Sequence, residues 1–250
     1  MRLSAIWVFE MRAVIFGANG GIGRAMIDEL LKQAGTQSVI GVSRNATSPP
    51  PPDERFTSAR YDMFDDGQLS EVASTIQDSG EPDLVIIATG FLSEPDGIQP
   101  ERSFRQQSLN AYEQVFRINT FGPALIAKHM LPLLPRKGRS VIAFLSARVG
   151  SISDNKLGGW HAYRASKAAL NMLIRNYAIE LGSRKPSAVC VGLHPGTVDT
   201  ALSQPFQRNL PFGQLTSPAA SAANLLNVIE GLTVEDSGSV FDWKGDLIPA

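Results

Sequence analysis

The sequence predicts an α/β fold, with one doubly wound parallel sheet of about seven strands and helices on both faces. Three observations carry this. Short apolar runs alternate with helical stretches along the chain, which is the order of right-handed βαβ units. The runs are continuous in valine and isoleucine, as in Val85-Ile86-Ile87, so their strands are buried on both faces. Gly17, Arg44, Gly90, Ser146 and Pro195 all fall just after such runs, where ligands sit in open sheets of this kind.

The 250 residues, 43% hydrophobic and 19% charged, suffice for a sizeable core in a single domain, taken as residues 12–250. The net charge of −1 gives no ground for a nucleic-acid or membrane partner. No apolar run reaches the roughly 18–20 residues of a membrane span. The single cysteine, Cys190, sits in an apolar run and reads as a small buried hydrophobe. With no intrachain disulfide possible, a reducing compartment fits, and a cytoplasmic location is expected. Residues 1–11 read as a non-secretory extension without a cleavage site, and Met11 as an alternative start.

Residues 13–16 form the first strand. The turn Gly17-Ala18-Asn19-Gly20-Gly21-Ile22-Gly23 follows, and residues 24–31 form an amphipathic helix. Glycines let the backbone approach a pyrophosphate, while the helix start offers free N–H groups and a positive dipole end. The bland alternative is an ordinary strand-to-helix turn. Residues 38–43 form the second strand, ending in Ser43-Arg44. An acidic residue there would bind the ribose hydroxyls of NAD, whereas a guanidinium pairs with the 2′-phosphate of NADP. Arg44 therefore favours NADP(H), with NAD(H) possible; the alternative is an exposed surface arginine.

Pro49 to Pro52 make a stiff connection. Residues 55–61 are the third strand, followed by Asp62-Met63, and residues 69–76 form a helix. Residues 83–88 are the fourth strand, broken by Thr89-Gly90. Residues 111–134 carry a long helix containing Asn119, and residues 139–146 form the fifth strand. A helix bearing Tyr163 and Lys167 runs to about residue 181, and residues 187–193 form the sixth strand. Residues 218–231 are helical and residues 239–242 are the last strand. The segments 91–108, 151–160 and 201–216 lie between these elements and set the substrate.

Tyr163-Arg164-Ala165-Ser166-Lys167 puts a phenol and an ammonium four residues apart on one helical face. A free tyrosine titrates near 10, roughly three units above neutrality. A cation one turn away stabilises the phenolate and lowers that value. Such a pair exchanges a proton with a carbonyl or alcohol oxygen. Its bland alternative is a solvated helix face.

These motifs, in this order, resemble the short-chain dehydrogenase/reductase superfamily from about residue 12 to the end. The resemblance implies a Rossmann-type sheet and a dinucleotide held by Gly17, Asn19, Gly20, Gly21, Ile22 and Gly23. It adds Ser43 and Arg44, Asp62 and Met63 at the adenine, and Ala88, Thr89 and Gly90 at the adenosine. It sets Pro195, Gly196, Val198 and Thr200 against the nicotinamide, and Asn119, Tyr163 and Lys167 as both cofactor contacts and catalytic groups. Residues 146–160 and Phe241-Asp242-Trp243-Lys244-Gly245 look like the C-factor/sniffer-like carbonyl reductases.

There are departures. Phe16 replaces the usual threonine, and Ala88-Thr89 replace the usual asparagine-bearing stretch. The position of the family's catalytic serine, counted back from Gly150, is Ala147. Either Ser146 takes the role, with Ser151 and Ser153 as weaker substitutes, or the serine is absent.

The implied activity is NADP(H)-dependent hydride transfer between the nicotinamide and a small-molecule carbonyl or alcohol. Tyr163 is then the acid/base, Lys167 the group that lowers its pKa, Ser146 the donor to the carbonyl, and Asn119 the anchor of a proton path. The alternative is a dinucleotide-binding regulatory or signalling protein with little turnover. The family's habit implies a homodimer or homotetramer. No metal-ligand spacing is present among the histidines, the cysteine and the carboxylates.

Overall fold

In the computed structural model, which describes residues 11–250 apart from Ser48, Asn209 and Phe212, the apolar runs become strands of one sheet. These are β1 (Met11–Phe16), β2 (Thr36–Ser43), β3 (Phe56–Arg60), β4 (Leu84–Ile87), β5 (Ser140–Leu145) and β6 (Ala188–His194). Two short strands, β7 (Thr197–Val198) and β8 (Leu215–Thr216), pair only with each other. The main sheet ends in β9 (Val240–Asp242) and β10 (Leu247–Ile248). Its order is β10-β9-β6-β5-β4-β1-β2-β3, and all pairings are parallel except β10 on β9. The chain winds outward from β1 to β3, then returns to β4 on the other side of β1. That reversal opens a crevice at the carboxyl ends of β1 and β4.

Among the described residues six α-helices cover the sheet: α1 (Gly21–Leu31), α2 (Asp66–Asp78), α3 (Leu109–Phe116), α4 (Gly122–Met130), α5 (His161–Arg184) and α6 (Pro218–Gly231). Side chains alternate across each strand. Ile15, Ile86, Ala143 and Val191 therefore pack under α1 and α6, against Met26, Ile27, Leu225 and Ile229. Val14, Val85, Ile142 and Cys190 face the other way, against Leu69 of α2, Ile126 of α4 and Ile174 of α5. Among the described residues no helix is long and apolar enough to cross a membrane.

The doubly wound α/β sheet is as expected; among the described residues it has eight strands, because Gly245 turns the chain so that β10 returns antiparallel on β9. The structure corrects two expectations. Met11, assigned to the extension, is the first residue of β1, 1% exposed and paired with Thr36; residues 1–10 lie outside the described residues. The long helix expected over 111–134 is broken by a π-helical turn at Arg117–Phe121, where the Gly122 N–H donates five residues back to the Arg117 carbonyl. An unbroken α-helix would need the N–H of residue 123 to donate to the Asn119 carbonyl. Pro123 has none, and that missing donor accounts for the wider turn.

Candidate active site

The glycine turn is built by close approach. Gly17 has φ 84°, and a Cβ on it would lie 2.9 Å from the Ala88 carbonyl. A Cβ on Gly23 would come within 2.3 Å of the Gly17 oxygen, so only glycine lets α1 start directly on the turn. Gly20 caps α1 without a side-chain hydrogen bond, which leaves the first N–H groups free for an anion. Thr200 closes the turn from above: a Cβ on Gly21 would meet its Cγ2 at 2.6 Å.

Two adjoining cavities open at the strand ends. One, about 390 Å³, is lined by Asn19, Ser43, Arg44, Tyr61, Asp62 and Met63 among others. The other, about 280 Å³, is lined by Gly21, Ile22, Ser146, Tyr163, Lys167 and Pro195 among others. Gly20, Ala88, Thr89 and Gly90 line both, so the two form one cleft. A separate cavity of about 380 Å³ near Met11 and Glu230 holds none of the expected site residues.

At the first cavity, Asn19 Nδ2 donates to the Asn45 carbonyl at 2.9 Å, and the Ser43 hydroxyl donates to the same oxygen at 2.6 Å. This turn presents Arg44, which is exposed and has no ion-pair partner among the described residues. Two buried hydroxyls here, on Tyr61 and Thr89, lack hydrogen-bond partners. Orphaned polar groups beside an uncapped helix start fit a polar, anionic ligand such as a dinucleotide. Phe16 packs edge-on against Tyr61, with ring centroids 5.4 Å apart, which gives its departure from threonine a packing reason.

The second cavity gathers the reactive groups. Lys167 is 3% exposed, and its Nζ donates to the Leu145 carbonyl at 2.8 Å and lies 5.9 Å from the Tyr163 ring centroid. Asn119 is fixed from both sides: Phe91 N–H donates to its Oδ1 at 2.8 Å, and its Nδ2 donates to the Phe91 carbonyl at 2.8 Å and to Ser166 Oγ at 3.2 Å. Ser166 in turn donates to the Tyr163 carbonyl at 2.8 Å, which ties Asn119 to α5. A Cβ on Gly90 would stand 3.9 Å from Asn119 Oδ1 and 4.0 Å from Lys167 Nζ, so glycine lets both groups approach this strand end, although Asn119 is fully buried and lines neither cavity. Gly196 lies under the Trp243 ring and Val198 is buried; both shape the cleft from behind. Trp243, with Arg148 bridging Asp154 and Asp242, braces this end of the sheet.

Burial pushes the Tyr163 phenol up to about 12, opposite to the direction expected from its lysine neighbour. The same cause pushes the Lys167 ammonium down to about 8. Burial therefore outweighs the attraction between the pair. Tyr163 remains partly open to the cleft. Ser146 lines this cavity with Tyr163 and Lys167, and its hydroxyl donates to Asn171 Oδ1 at 2.6 Å, two helical turns along α5 from Tyr163. Its proton is thus already committed. Alternation along β5 turns Ser146 to the same side as Ile142 and Phe144, against α5, and the next residue is the apolar Ala147.

The sequence reading assigned no role to Asn171, Glu101, Trp160, Arg164 or Phe206; Asn171 accepts the Ser146 hydrogen bond, and Trp160 packs on Tyr163 and Phe206. Asn171, one turn beyond Lys167, carried a signal in its spacing; the others are placed only by the fold. His194 is kept neutral by burial, which pushes its imidazole down to about 4. Burial pushes the Cys190 thiol up. No metal-holding cluster exists among the described residues.

The model of the short chain dehydrogenase family matches residues 11–211. The chain belongs to that family. Within the short-chain dehydrogenases it is 39% identical over 137 residues to C-signal of Myxococcus xanthus, covering 54% of this chain and 76% of that protein. The fold is shared with carbonyl reductase Sniffer of D. melanogaster (TM-score 0.83, 20% identity, 97% of this chain and 100% of that one). It is also shared with an NADPH-bound carbonyl reductase from chicken fatty liver (TM-score 0.79, 22% identity, 97% and 95%). The likeness to C-signal is one of sequence, and the likeness to sniffer is one of fold.

Proposed function

We propose that this short-chain dehydrogenase is an NADP(H)-dependent oxidoreductase that works chiefly as a carbonyl reductase, with Tyr163 as the proton donor. The observation that carries the reading is one cleft joining an uncapped glycine turn to the half-open Tyr163 and its buried neighbour Lys167. When bound, the dinucleotide supplies the hydride. The α1 N–H groups hold its pyrophosphate, and Arg44, beside Ser43, pairs with a 2′-phosphate. Tyr61 and Thr89 supply the hydroxyls for the adenosine end, with Asp62 and Met63 beside them. Thr200 and the Pro195-Gly196-Thr197-Val198 stretch hold the other end.

A phenol raised to about 12 is fully protonated at neutral pH. It is therefore ready to donate to a developing alkoxide, which supports the reducing direction. Lys167 carries its charge below about pH 8 and steadies the phenolate left behind. Asn119, held between Phe91 and Ser166, anchors the route by which a proton returns to Lys167. Ser146 acts through Asn171, holding the end of β5 against α5. Ser146→Ala is expected to lower turnover by less than about tenfold, whereas losing a donor to the reacting oxygen costs roughly 10²–10³; a loss in that larger range would restore Ser146 to the catalytic set.

The deciding experiment follows oxidation of NADPH and NADH in parallel over a panel of carbonyl compounds. NADPH is expected to be preferred, and Arg44→Ala to erase the preference. Faster turnover with NADH would overturn the reading of Arg44. The second reading, a dinucleotide-binding regulator, is favoured by Ala147 and the committed Ser146 proton; it predicts binding without turnover on the whole panel. A homodimer or homotetramer through α5, whose Met172 and Ile179 are exposed, belongs to the same proposal.

A further inference from the structure

The three segments that the sequence leaves open, 91–108, 151–160 and 201–216, meet at Trp160. Among the described residues it is the only non-glycine with a positive φ, 50°, after Gly158 at 64° and Gly159 at 67°. A bulky side chain rarely adopts this backbone, and it persists only where its surroundings fix it. Here they do. The Trp160 N–H donates to the Glu101 carbonyl. The Glu101 carboxylate, 4% exposed, accepts from the Ala162 N–H at 3.3 and 3.4 Å, at the start of α5. Arg164 donates to the Gly159 carbonyl at 3.1 Å and to the Val149 carbonyl at 3.4 Å, which pins the loop before it.

These contacts set the indole edge-on to the Tyr163 ring, with centroids 6.1 Å apart at 77°, and tilted on Phe206 at 5.2 Å and 58°. A glycine at position 160 would relieve the backbone, and Glu101 would still cap α5. The helix start therefore does not call for tryptophan, and the indole needs another reason.

We propose that Trp160 and Phe206 form a specificity wall beside Tyr163, that Glu101 is its positioning residue, and that the wall selects carbonyl compounds carrying a flat, apolar group next to the carbonyl carbon. The inference rests on Tyr163 as the proton donor. A flat ring can stack or pack edge-on against an aromatic wall as a puckered ring of the same size cannot. Such a pair contributes roughly a 2- to 12-fold preference beyond the area it buries.

The test compares acetophenone with cyclohexyl methyl ketone, using the full chain and NADPH. Trp160→Leu and Phe206→Leu should each lower the acetophenone-to-cyclohexyl ratio of kcat/KM by roughly 3- to 10-fold, through KM and not kcat. Glu101→Ala should lower it likewise, while Glu101→Gln, which keeps an acceptor, should retain it. NADPH binding, read from nicotinamide fluorescence, should be unchanged in all four. Independently, acetophenone should quench tryptophan fluorescence of the NADPH-bound protein, and Trp160→Leu should remove the quenching. An unchanged ratio in both leucine variants overturns the wall. If the wild-type protein binds NADPH but reduces nothing, the reductase reading fails instead, and the quenching alone decides the wall: its persistence in Trp160→Leu refutes it.

Discussion

Tyr163→Phe is expected to cut carbonyl reduction by roughly 10²–10⁴-fold, the usual contribution of one positioned acid. NADPH binding should survive, because the ring remains and only the hydroxyl is lost. The measurement is NADPH oxidation beside a fluorescence titration of the same samples. Full turnover in the variant would remove Tyr163 from the chemistry. A pH profile of the unmodified protein tests the partner group. Lys167 has its folded value lowered, to about 8, so the charged form prevails below that pH and is lost above it. The phenol, raised to about 12, stays protonated throughout that range. Reduction should therefore hold steady toward neutral pH and decline as pH rises through about 8. A rate that climbs through pH 8 would show that the neutral amine, not the ammonium, is the working form.

Gly23→Ala should be the most damaging single methyl in the cleft. Its Cβ would sit 2.3 Å from the Gly17 oxygen, a backbone atom that can move only if the turn opens. Overpacking of this kind costs roughly 1–3 kcal/mol. If the turn opens, the α1 N–H groups move off their target, and dinucleotide affinity should fall by roughly ten- to a hundredfold, each tenfold corresponding to about 1.4 kcal/mol. Gly182→Ala is the matched control: a Cβ there meets nothing within 4 Å, and alanine should stabilise α5 by about 0.5–1 kcal/mol. Unchanged binding in Gly23→Ala, with a normal melting temperature, would place the dinucleotide elsewhere.

The parts of this fold that could be read from the sequence are those set by local pattern. Continuous Val and Ile runs marked β1, β4, β5 and β6, and the glycine spacing marked the start of α1. The site was legible wherever its groups sit at fixed intervals, as Tyr163 and Lys167 do. What could not be read depends on contacts distant in the chain. The direction of the Tyr163 shift is set by burial under other segments, not by the lysine four residues away. The orientation of the Ser146 hydroxyl is set by Asn171, 25 residues on, which accepts its hydrogen bond. Trp160 owes its backbone to Glu101, 59 positions earlier in the chain, across an irregular loop. The break in the long helix had a local signal in Pro123, but proline near a helix start is equally common.

That break has a consequence for how this region tolerates change. A π-helical turn holds one residue more than the α-helical turn it replaces, and each α-helical residue advances the helix by about 100°. The extra residue in Arg117–Phe121 thus sets the phase between α3 and α4. With it, Val115 and Ala111 of α3 face inward while Ile126, Ala127 and Met130 of α4 do the same. Deleting one residue from the turn would restore regular winding and leave the inner stripe of α4 on the same face, because the wider turn already absorbs that residue. A point substitution there perturbs one side chain. A one-residue deletion inside regular α3 or α4 would rotate everything beyond it by about 100°, so this short stretch should accept loss more readily than the helices on either side.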